Sequence, residues 1–458
     1  MSKNNKLVNL INHLKTQGFV YQGSEIYGGL ANTWDYGPLG SLLLNNIKNE
    51  WIKYFIHNEE NNFLIDAKIL MNPEVWKTSG HVGNFSDPLI ENKINNKRYR
   101  ADHLIEEFDP LMKIETLSEI EMENFIKRNI TKYEGVATDW TSIRKFNLMF
   151  ETYQGILEDS KNKIYLRPET AQAIFVNFKN ILRTTRTKIP FGVGQIGKSF
   201  RNEVTPGNFI FRTREFEQME LEYFVHPNDS DKAFEYYLKK CYEFLIFLGI
   251  KKDLLKIRKH AKEELSHYSS ATSDIEFKFD FGWGELLGVA NRGDFDLSSH
   301  SKATNEELSY FDSIENITYI PHVIEPSMGL DRLALAILTS SYEEETLEVD
   351  SRVVLKLNKF LVPYQIAVLP LVKKFSEESK ELVKWLKQHN FRTTYDESAS
   401  IGKRYRRQDA IGTFFALTYD YQSAENQSFT IRNRDTMEQI RINKIDLISY
   451  LTKELNGI

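Results

Sequence analysis

Between Phe191 and Val225 apolar and polar positions alternate with a period of two, as in a β-hairpin, yet charges fall where such a hairpin is usually apolar. On the second strand Arg214, Phe216, Gln218, Glu220 and Glu222 share one face, and Met219, Leu221, Tyr223 and Val225 share the other. On the first strand Arg201 and Glu203 share a face and Phe200 points away. Two readings stand: a polar sheet face turned to water, or a polar face that meets a ligand.

Two further segments favour the ligand. His322 to Leu338 reads as a short strand, a glycine turn at Gly329 and a helix whose only charges between Leu330 and Leu338 are Asp331 and Arg332. A helix so apolar is buried on nearly all sides, and an arginine there needs a partner. Gly284 to His300 puts Glu285, Arg292, Asp294 and Asp296 around a β-like run.

Elsewhere Val8, Leu10, Ile11 and Leu14 have helical spacing, and Pro38 to Ile56 predicts a long amphipathic helix with Leu42, Leu43, Ile47, Trp51 and Phe55 on one side. A strand over Phe63 to Met71 follows and runs into Pro73. From Asp87 to about Lys163 charge rises and periodicity weakens, which predicts a mostly helical insertion; a second helical piece is expected over about 229–270. The acidic stretch Tyr342 to Ser351 reads as a linker. After it strands and helices alternate, as in a small α/β domain, so the domains are expected at 1–345 and 351–458.

The 458 residues, 41% hydrophobic and 13% aromatic, are enough for two to four domains with large cores. The single cysteine, Cys241, excludes a disulfide framework and a cysteine-cluster zinc site and fits a reducing compartment. Neither a signal peptide nor a run of about 18 apolar residues is found, so a cytoplasmic protein away from the membrane is expected. From Ser351 onward 18 Lys and Arg stand against 12 Asp and Glu, a balance of +6; the whole-chain −5 leaves −11 for residues 1 to 350. The basic tail suits contact with an RNA backbone, or is an ordinary solvated surface.

In this order the charged hairpin, the Gly284–His300 segment and the His322–Leu338 segment resemble motif 2, the metal-bearing strand and motif 3 of a class II aminoacyl-tRNA synthetase. SEIYGGLANTWDYGPLG (Ser24 to Gly40), NPEVWKTSGH (Asn72 to His81), KRYRADHLIEE (Lys97 to Glu107), YLRPETAQAIF (Tyr165 to Phe175) and IGKRYRRQDAIGT (Ile401 to Thr413) resemble one family, the homodimeric type of glycyl-tRNA synthetase. The resemblance implies an α+β catalytic domain built on an antiparallel sheet, an α/β anticodon-binding domain, and glycine, ATP, magnesium and tRNA(Gly) as partners, with no zinc. The helix, strand and Pro73 resemble motif 1, the dimer element of such enzymes. Ordinary core packing gives the same pattern.

The family pattern assigns ATP to Arg201, Asn202 and Glu203, to Phe211, Arg212, Thr213, Arg214, Glu215 and Phe216, to Glu285 and Leu286, and to Gly329, Leu330, Asp331 and Arg332. Arg201 would hold the α-phosphate and the amino-acid carboxylate, Glu203 the adenine amino group, and Arg212 the distal phosphates. Phe216 and Arg332 would cover the two adenine faces, and Glu285 would ligate magnesium. These residue types suit phosphoryl chemistry, which needs positioned charge more than a protein nucleophile. Arg201 and Arg332 are the expected catalytic residues.

Glycine offers no side chain, so its pocket must grip the ammonium and exclude anything larger. The resemblance places Glu169, Glu220, Glu325 and Ser327 around the ammonium and Arg292 and Arg100 near the carboxylate. Phe216, Glu217, Gln218, Met219, Pro326, Met328 and Gly329 complete the expected pocket. Glu169 also reads as an ordinary carboxylate at a helix start. Lys403, Arg404, Arg406 and Arg407 would contact tRNA, or form an exposed helix face. Ala410 and Phe414 depart from the family's usual acid and proline. A threonyl or prolyl synthetase shares the class motifs. A catalytically dead, RNA-binding relative would have lost Arg201, Glu203 or Arg332, and all three are present.

Overall fold

The computed structural model describes residues 5–112, 114, 117–156, 162–266, 268–346 and 351–456. Its largest sheet contains seven strands, in chain order β1 (Asn62–Leu64), β2 (Phe191–Phe200), β3 (Glu215–Val225), β4 (Leu255–Lys259), β5 (Ala271–Phe279), β6 (Gly282–Gly293) and β7 (His322–Gly329). Their spatial order is β4-β5-β6-β7-β3-β2-β1, antiparallel except for the parallel pair β2 and β1. The helices that matter below are α1 (Asn5–Gln17), α2 (Pro38–Ile52), α3 (Ser230–Phe247), α4 (Phe295–Thr304), α5 (Leu330–Ser341) and α6 (Ile401–Ile411).

The period of two divides the sheet as its chemistry requires. Met219, Leu221, Val225, Leu287, Val289, Ile324 and Met328 join α2, α3 and α5 in the main hydrophobic core. Gln218, Glu220 and Glu222 point the other way and are nonetheless buried, at 6%, 3% and 0% exposure, so the face is not solvated. Beyond them the same face turns apolar at Phe224, Phe191 and Val193, roofed by Ala171, Ile174, Phe175 and Leu297 of flanking helices.

Several expectations are corrected. The strand β2 ends at Phe200, so Arg201 and Glu203 lie in the connection beyond it rather than on the strand. Gly329 makes no turn: with φ −80° and ψ 121° it is the last extended residue of β7, and α5 starts directly at Leu330. Residues 295–300 are helical. The strand foreseen over 63–71 joins the sheet only at Asn62–Leu64, at its edge beside β2, and further on makes a single antiparallel bridge from Leu70 to Leu166.

The insertion is mixed rather than mostly helical. It holds a three-stranded sheet (Ser86–Asn92, Lys97–Arg100, Arg144–Asn147) with helices Ala101–Phe108 and Glu119–Asn129 over a core of Ile90, Leu104, Ile105, Ile126 and Trp140. Strands this short carry too few alternations to register as a period, and their exposed positions are charged: Lys97 pairs with Glu134 at 2.8 Å and Arg98 with Glu91 at 2.9 Å. The 229–270 piece is α-helical only through α3; beyond it come short 3₁₀ turns and the charged strand LKIRK, which becomes the sheet edge β4. Edge strands are commonly charged, which hid this one among helix-like patterns.

The apolar stripe of α2 and of the helical turn Lys53–His57 after it is consumed inside its own chain, with Leu43, Ile47, Trp51 and Phe55 at 0–1% exposure. Residues 347–350 of the expected linker lie outside the described residues; Tyr342–Thr346 and Ser351–Leu355 pair as a hairpin. The C-terminal sheet runs in the order Thr393–Tyr395, Ile366–Pro370, Phe415–Tyr419, Ser428–Asn433, Gln439–Asn443, the first three strands parallel and the others antiparallel. His13 of α1 bonds the Ala410 carbonyl at 2.7 Å, and Asn46 donates to the carbonyls of Leu361 and Val362, each at 3.0 Å, which ties the two sheets together.

Candidate active site and basic groove

The polar face of the central sheet opens into a cleft of about 660 Å³ lined by Arg201, Glu203, Phe211, Arg212, Thr213, Phe216, Gln218, Glu285, Leu286, Ser327, Gly329, Asp331 and Arg332. The Arg201 guanidinium lies 5.4 Å from the Phe216 ring centre and donates to the Pro168 carbonyl at 3.1 Å. Arg332 lies 4.4 Å over the Phe211 ring, donates to the Phe211 carbonyl at 3.1 Å and pairs with Glu285 at 3.1 Å. Two arginines thus present charge beside aromatic faces, which suits a nucleotide whose base stacks and whose phosphates are anionic.

Not every expected ATP residue faces this cleft. Asn202 is not among its lining residues. Arg214 donates to the Glu203 carbonyl at 3.2 Å and lines a neighbouring cavity with Glu215, which pairs with Lys198 at 3.3 Å. Leu330 is at 0% exposure in the main core. Asp331 borders the cleft, but its carboxylate accepts from the Tyr36 hydroxyl at 2.6 Å and the Glu217 N–H at 2.9 Å, so it fastens α5 to β3.

Next to the cleft the same face becomes a chamber of acids. Glu220 receives four donors: the Thr170 N–H at 2.9 Å, the Thr170 hydroxyl, Ser327 Oγ at 2.6 Å and Gln218 Nε2 at 2.9 Å. Glu169 pairs with His81 at 3.2 Å and accepts from Gln172 at 3.1 Å. Burial raises its pKa, but His81 and Arg292 outweigh burial and hold it below the ordinary carboxylate value. Arg292, at 2% exposure, is the hub. It grips both oxygens of Asp296 at 2.7 and 2.9 Å and Glu325 at 2.7 Å, and it lies 4.1 Å from the Tyr268 ring centre.

This geometry corrects six of the glycine-pocket expectations. Arg292 has its donors committed to carboxylates, so it balances the acids instead of offering a free fork to a substrate carboxylate. Arg100 lies away from the chamber, held by Asp87 at 3.0 Å and Asp102 at 2.5 Å. Glu217 pairs with Lys48 at 3.2 Å, and Met219 is fully buried in the main core, because both alternate onto the opposite strand face. Pro326 and Met328 share that opposite parity on β7, Met328 inside the core, whereas Glu325, Ser327 and Gly329 face the chamber side.

Other chamber residues went unassigned in the sequence. Glu222 is the next member of the period-two row and could have been carried forward on that ground. Thr170 adjoins Glu169. His81 and Gln172 lie in the family-like segments Asn72–His81 and Tyr165–Phe175, but nothing in their spacing joins them to these acids. Arg167, at 3% exposure, donates to the Lys198 carbonyl at 2.6 Å and the Ala67 carbonyl at 2.8 Å. A Cβ at Gly197 would collide with its guanidinium, which explains the glycine there.

In the C-terminal domain Lys403, Tyr405, Arg406, Arg407, Arg432 and Gln439 line an open groove. Arg407 is tethered to Asp396 at 2.6 Å. Arg404 does not reach the groove: at 4% exposure it donates to the carbonyls of Pro370, Ser398 and Ala399, so it is a structural residue. Asp409 accepts from Arg432 at 2.7 and 2.9 Å and from Arg352 at 3.0 Å, both buried.

Among the described residues no group of three or more His, Cys, Asp or Glu side chains is arranged to hold a metal ion, and no helix is long and apolar enough to cross a membrane. Glu285 still suits magnesium, which takes one or two carboxylates together with substrate phosphates; its side chain is 52% exposed at the cleft.

Residues 150–342 match the tRNA synthetase class II core domain (G, H, P, S and T), and residues 365–454 match an anticodon binding domain. A prolyl-tRNA synthetase from Cryptosporidium parvum shares the fold at TM-score 0.64 and 13% identity, over 98% of this chain and 75% of that one. The fold is therefore that of a class II synthetase. Glycine-tRNA ligase of Mycoplasmopsis synoviae is 59% identical over 98% of this chain and 99% of its own; that of Mesoplasma florum is 55% identical over 96% and 98%. That of Alkaliphilus oremlandii is 53% identical over 99% and 100%. The chain belongs to the glycine-tRNA ligase family.

Proposed function

We propose that this chain condenses glycine with ATP to form glycyl-adenylate and then transfers the glycyl group to the 3′ end of tRNA(Gly). The observation that carries the reading is the contact between two unlike compartments on one sheet face: an arginine-walled cleft and an acid-lined chamber, joined where Glu220 pairs with Ser327 and Gln218 with Gly329. A zwitterion fits across that junction, its carboxylate toward Arg201 and its ammonium toward Glu169, Glu220, Glu325 and Ser327. The buried Gln218 Oε1, which has no donor among the described residues, offers one more acceptor for the ammonium.

In activation a glycine carboxylate oxygen attacks the α-phosphorus and pyrophosphate leaves, with no protein proton transferred. Arg201 bridges the carboxylate and the α-phosphate, both of which change charge in this step. Arg332 and Phe216 hold the base, Glu203 accepts from its amino group, and Arg212 takes the distal phosphates. Magnesium, held by Glu285 and the phosphates, would neutralise phosphate charge. In the second step a hydroxyl of the terminal ribose attacks the glycyl carbonyl and AMP leaves. The C-terminal domain at 351–458 would bind the anticodon through Lys403, Arg406 and Arg407, and the catalytic domain occupies 1–345.

The chain is read as a cytoplasmic homodimer. The free sheet edge at β1 and the exposed apolar side chains Leu64 on it and Leu70 after it support an isologous interface. Light scattering at micromolar concentration should give twice the chain mass; a monomer with full activity excludes the dimer. The catalytic reading is tested by pyrophosphate exchange into ATP across the twenty amino acids. Exchange should require glycine and magnesium, and exchange driven by alanine, serine or threonine but not glycine would sink it.

A further inference from the structure

Glu222 is the anomaly of the acid chamber. It is at 0% exposure, and no donor among the described residues reaches either of its carboxyl oxygens. Its neighbour Glu220, two residues back on the same strand, is held by four donors. The charged groups around Glu222 are Glu220 on its own strand β3, Glu325 on β7 and Arg292 on β6, while Val193 is its partner on β2. Arg292 is already engaged by Asp296 and Glu325. A bare, unsolvated carboxylate beside two more carboxylates is among the costliest arrangements a protein can contain, and such a group takes up a proton instead.

The proton has one place to go. The register that pairs Glu220 with Ser327 and Tyr223 with Ile324 sets Glu222 across from Glu325 on the same sheet face, and of the two only Glu325 has a cation in contact, Arg292 at 2.7 Å. Glu325 is therefore the better acceptor. We propose, on the reading that this chamber holds the glycine ammonium, that Glu222 is a positioning residue: a neutral carboxylic acid whose O–H donates to Glu325 and aims that carboxylate at the substrate. Burial, reinforced by Glu325, pushes Glu222 well above the ordinary carboxylate range, in agreement. The arrangement also limits negative charge in a chamber whose acids have Arg292 as their paired arginine among the described residues.

Two measurements test this. Infrared difference spectra between the wild-type protein and Glu222→Gln at neutral pH should show the C=O stretch of a protonated carboxylic acid in the wild type alone. In pyrophosphate exchange Glu222→Gln keeps an N–H donor toward Glu325 and should hold the glycine KM within about threefold, whereas Glu222→Leu has none and should raise it roughly 10- to 100-fold, with little change in the ATP KM. Absence of the carboxylic-acid band, or Gln as damaging as Leu, overturns the proposal, since the group would then act as an anion. Equal and unaltered KM values for both variants overturn it as well. If glycine supports no exchange in the wild type, the functional reading fails and takes this inference with it, a result distinct from glycine-dependent exchange without the band.

Discussion

The two ends of the molecule contain ionic knots of opposite construction. In the catalytic domain one guanidinium, Arg292, serves the carboxylates of Asp296, Glu325 and, at 3.9 Å, Glu169. In the C-terminal domain one carboxylate, Asp409, serves the guanidinium groups of Arg352 and Arg432, with Arg406 at 3.6 Å. Each knot is left with surplus charge of one sign, and the surplus suits what each domain is proposed to bind: an ammonium in the first, phosphates in the second. The knots differ in one physical respect. Carboxylates in a dry interior can be neutralised by protons, whereas arginine stays charged, so the acid knot can adjust its charge and the basic knot cannot.

Breaking the acid knot should have the largest effect. Arg292→Met leaves Asp296 and Glu325 buried without their counter-ion and Glu169 with His81 alone, a loss of about 3–5 kcal/mol of stability. The stranded acids would have folded-state pKa values raised above their unfolded values. Stability lost in this way returns where the acids are protonated, so the deficit relative to wild type, measured by urea denaturation, should be smaller at pH 5 than at pH 8. A deficit that is equal at both values would show that the knot does not adjust.

The matching break, Asp409→Asn, should cost about 3 kcal/mol, since Arg352 and Arg432 lose their shared anion. Here the deficit should stay constant from pH 5 to 8, because arginine does not titrate. Added sulfate should restore part of the melting temperature by supplying an anion. Recovery at low pH without sulfate would erase the distinction between the knots.

The two knots were not equally legible in the sequence. The acid chamber was half visible, because period-two alternation on β3 put Gln218, Glu220 and Glu222 in one row, and the resemblance supplied Glu169 and Glu325. That Arg292 is the hub and not a substrate ligand could not be read, since its partners come from β7, α4 and the segment before Ala171, brought together only by folding. In the basic helix α6 a run of four cations looked uniform. Burial divides it: Arg404 turns inward onto carbonyls, while Lys403 and Arg406 border the groove. The insertion was misread because its strands are too short to show a period, and Glu217 and Met219 because a motif was carried over as a block when a strand alternates residue by residue.

At the junction of the two compartments Arg201→Ala should lower glycine-dependent exchange turnover roughly 100-fold, the usual cost of removing one preorganised group from developing charge. ATP binding should weaken much less, because the lost contact is made chiefly in the transition state. A raised ATP KM with unchanged turnover would assign Arg201 to ground-state binding.

The adjustable charge of the acid knot also predicts a pH profile. Burial, against the pull of Arg292, raises Glu325 above the ordinary carboxylate range. On acidification the Glu222–Glu325 pair therefore takes up a second proton, on Glu325, which an ammonium must displace. The glycine KM should be flat where Glu325 is ionised and rise by up to roughly tenfold per pH unit as pH falls from about 7 to about 5. A KM independent of pH over this range would remove Glu325 from the ammonium site.

The smallest effect is expected at the basic groove, where the charges lie in high dielectric and act on RNA phosphates through counter-ion release. Lys403 is exposed and Arg406 partly so, and both border the groove. Replacing both with glutamate should weaken tRNA binding about tenfold at moderate salt and reduce the salt slope by about 1.4 if each neutralises one phosphate of a single-stranded loop. Adenylate formation should be untouched, since these residues are remote from the cleft. Arg404→Ala gives the contrast. Its guanidinium is spent on the carbonyls of Pro370, Ser398 and Ala399, so its loss should lower the melting temperature of the C-terminal domain and leave the salt slope of the folded protein unchanged. If Arg404→Ala reduces the slope and the double reversal does not, the RNA lies on another face of α6, and the surplus charge around Asp409 serves only to hold the domain together.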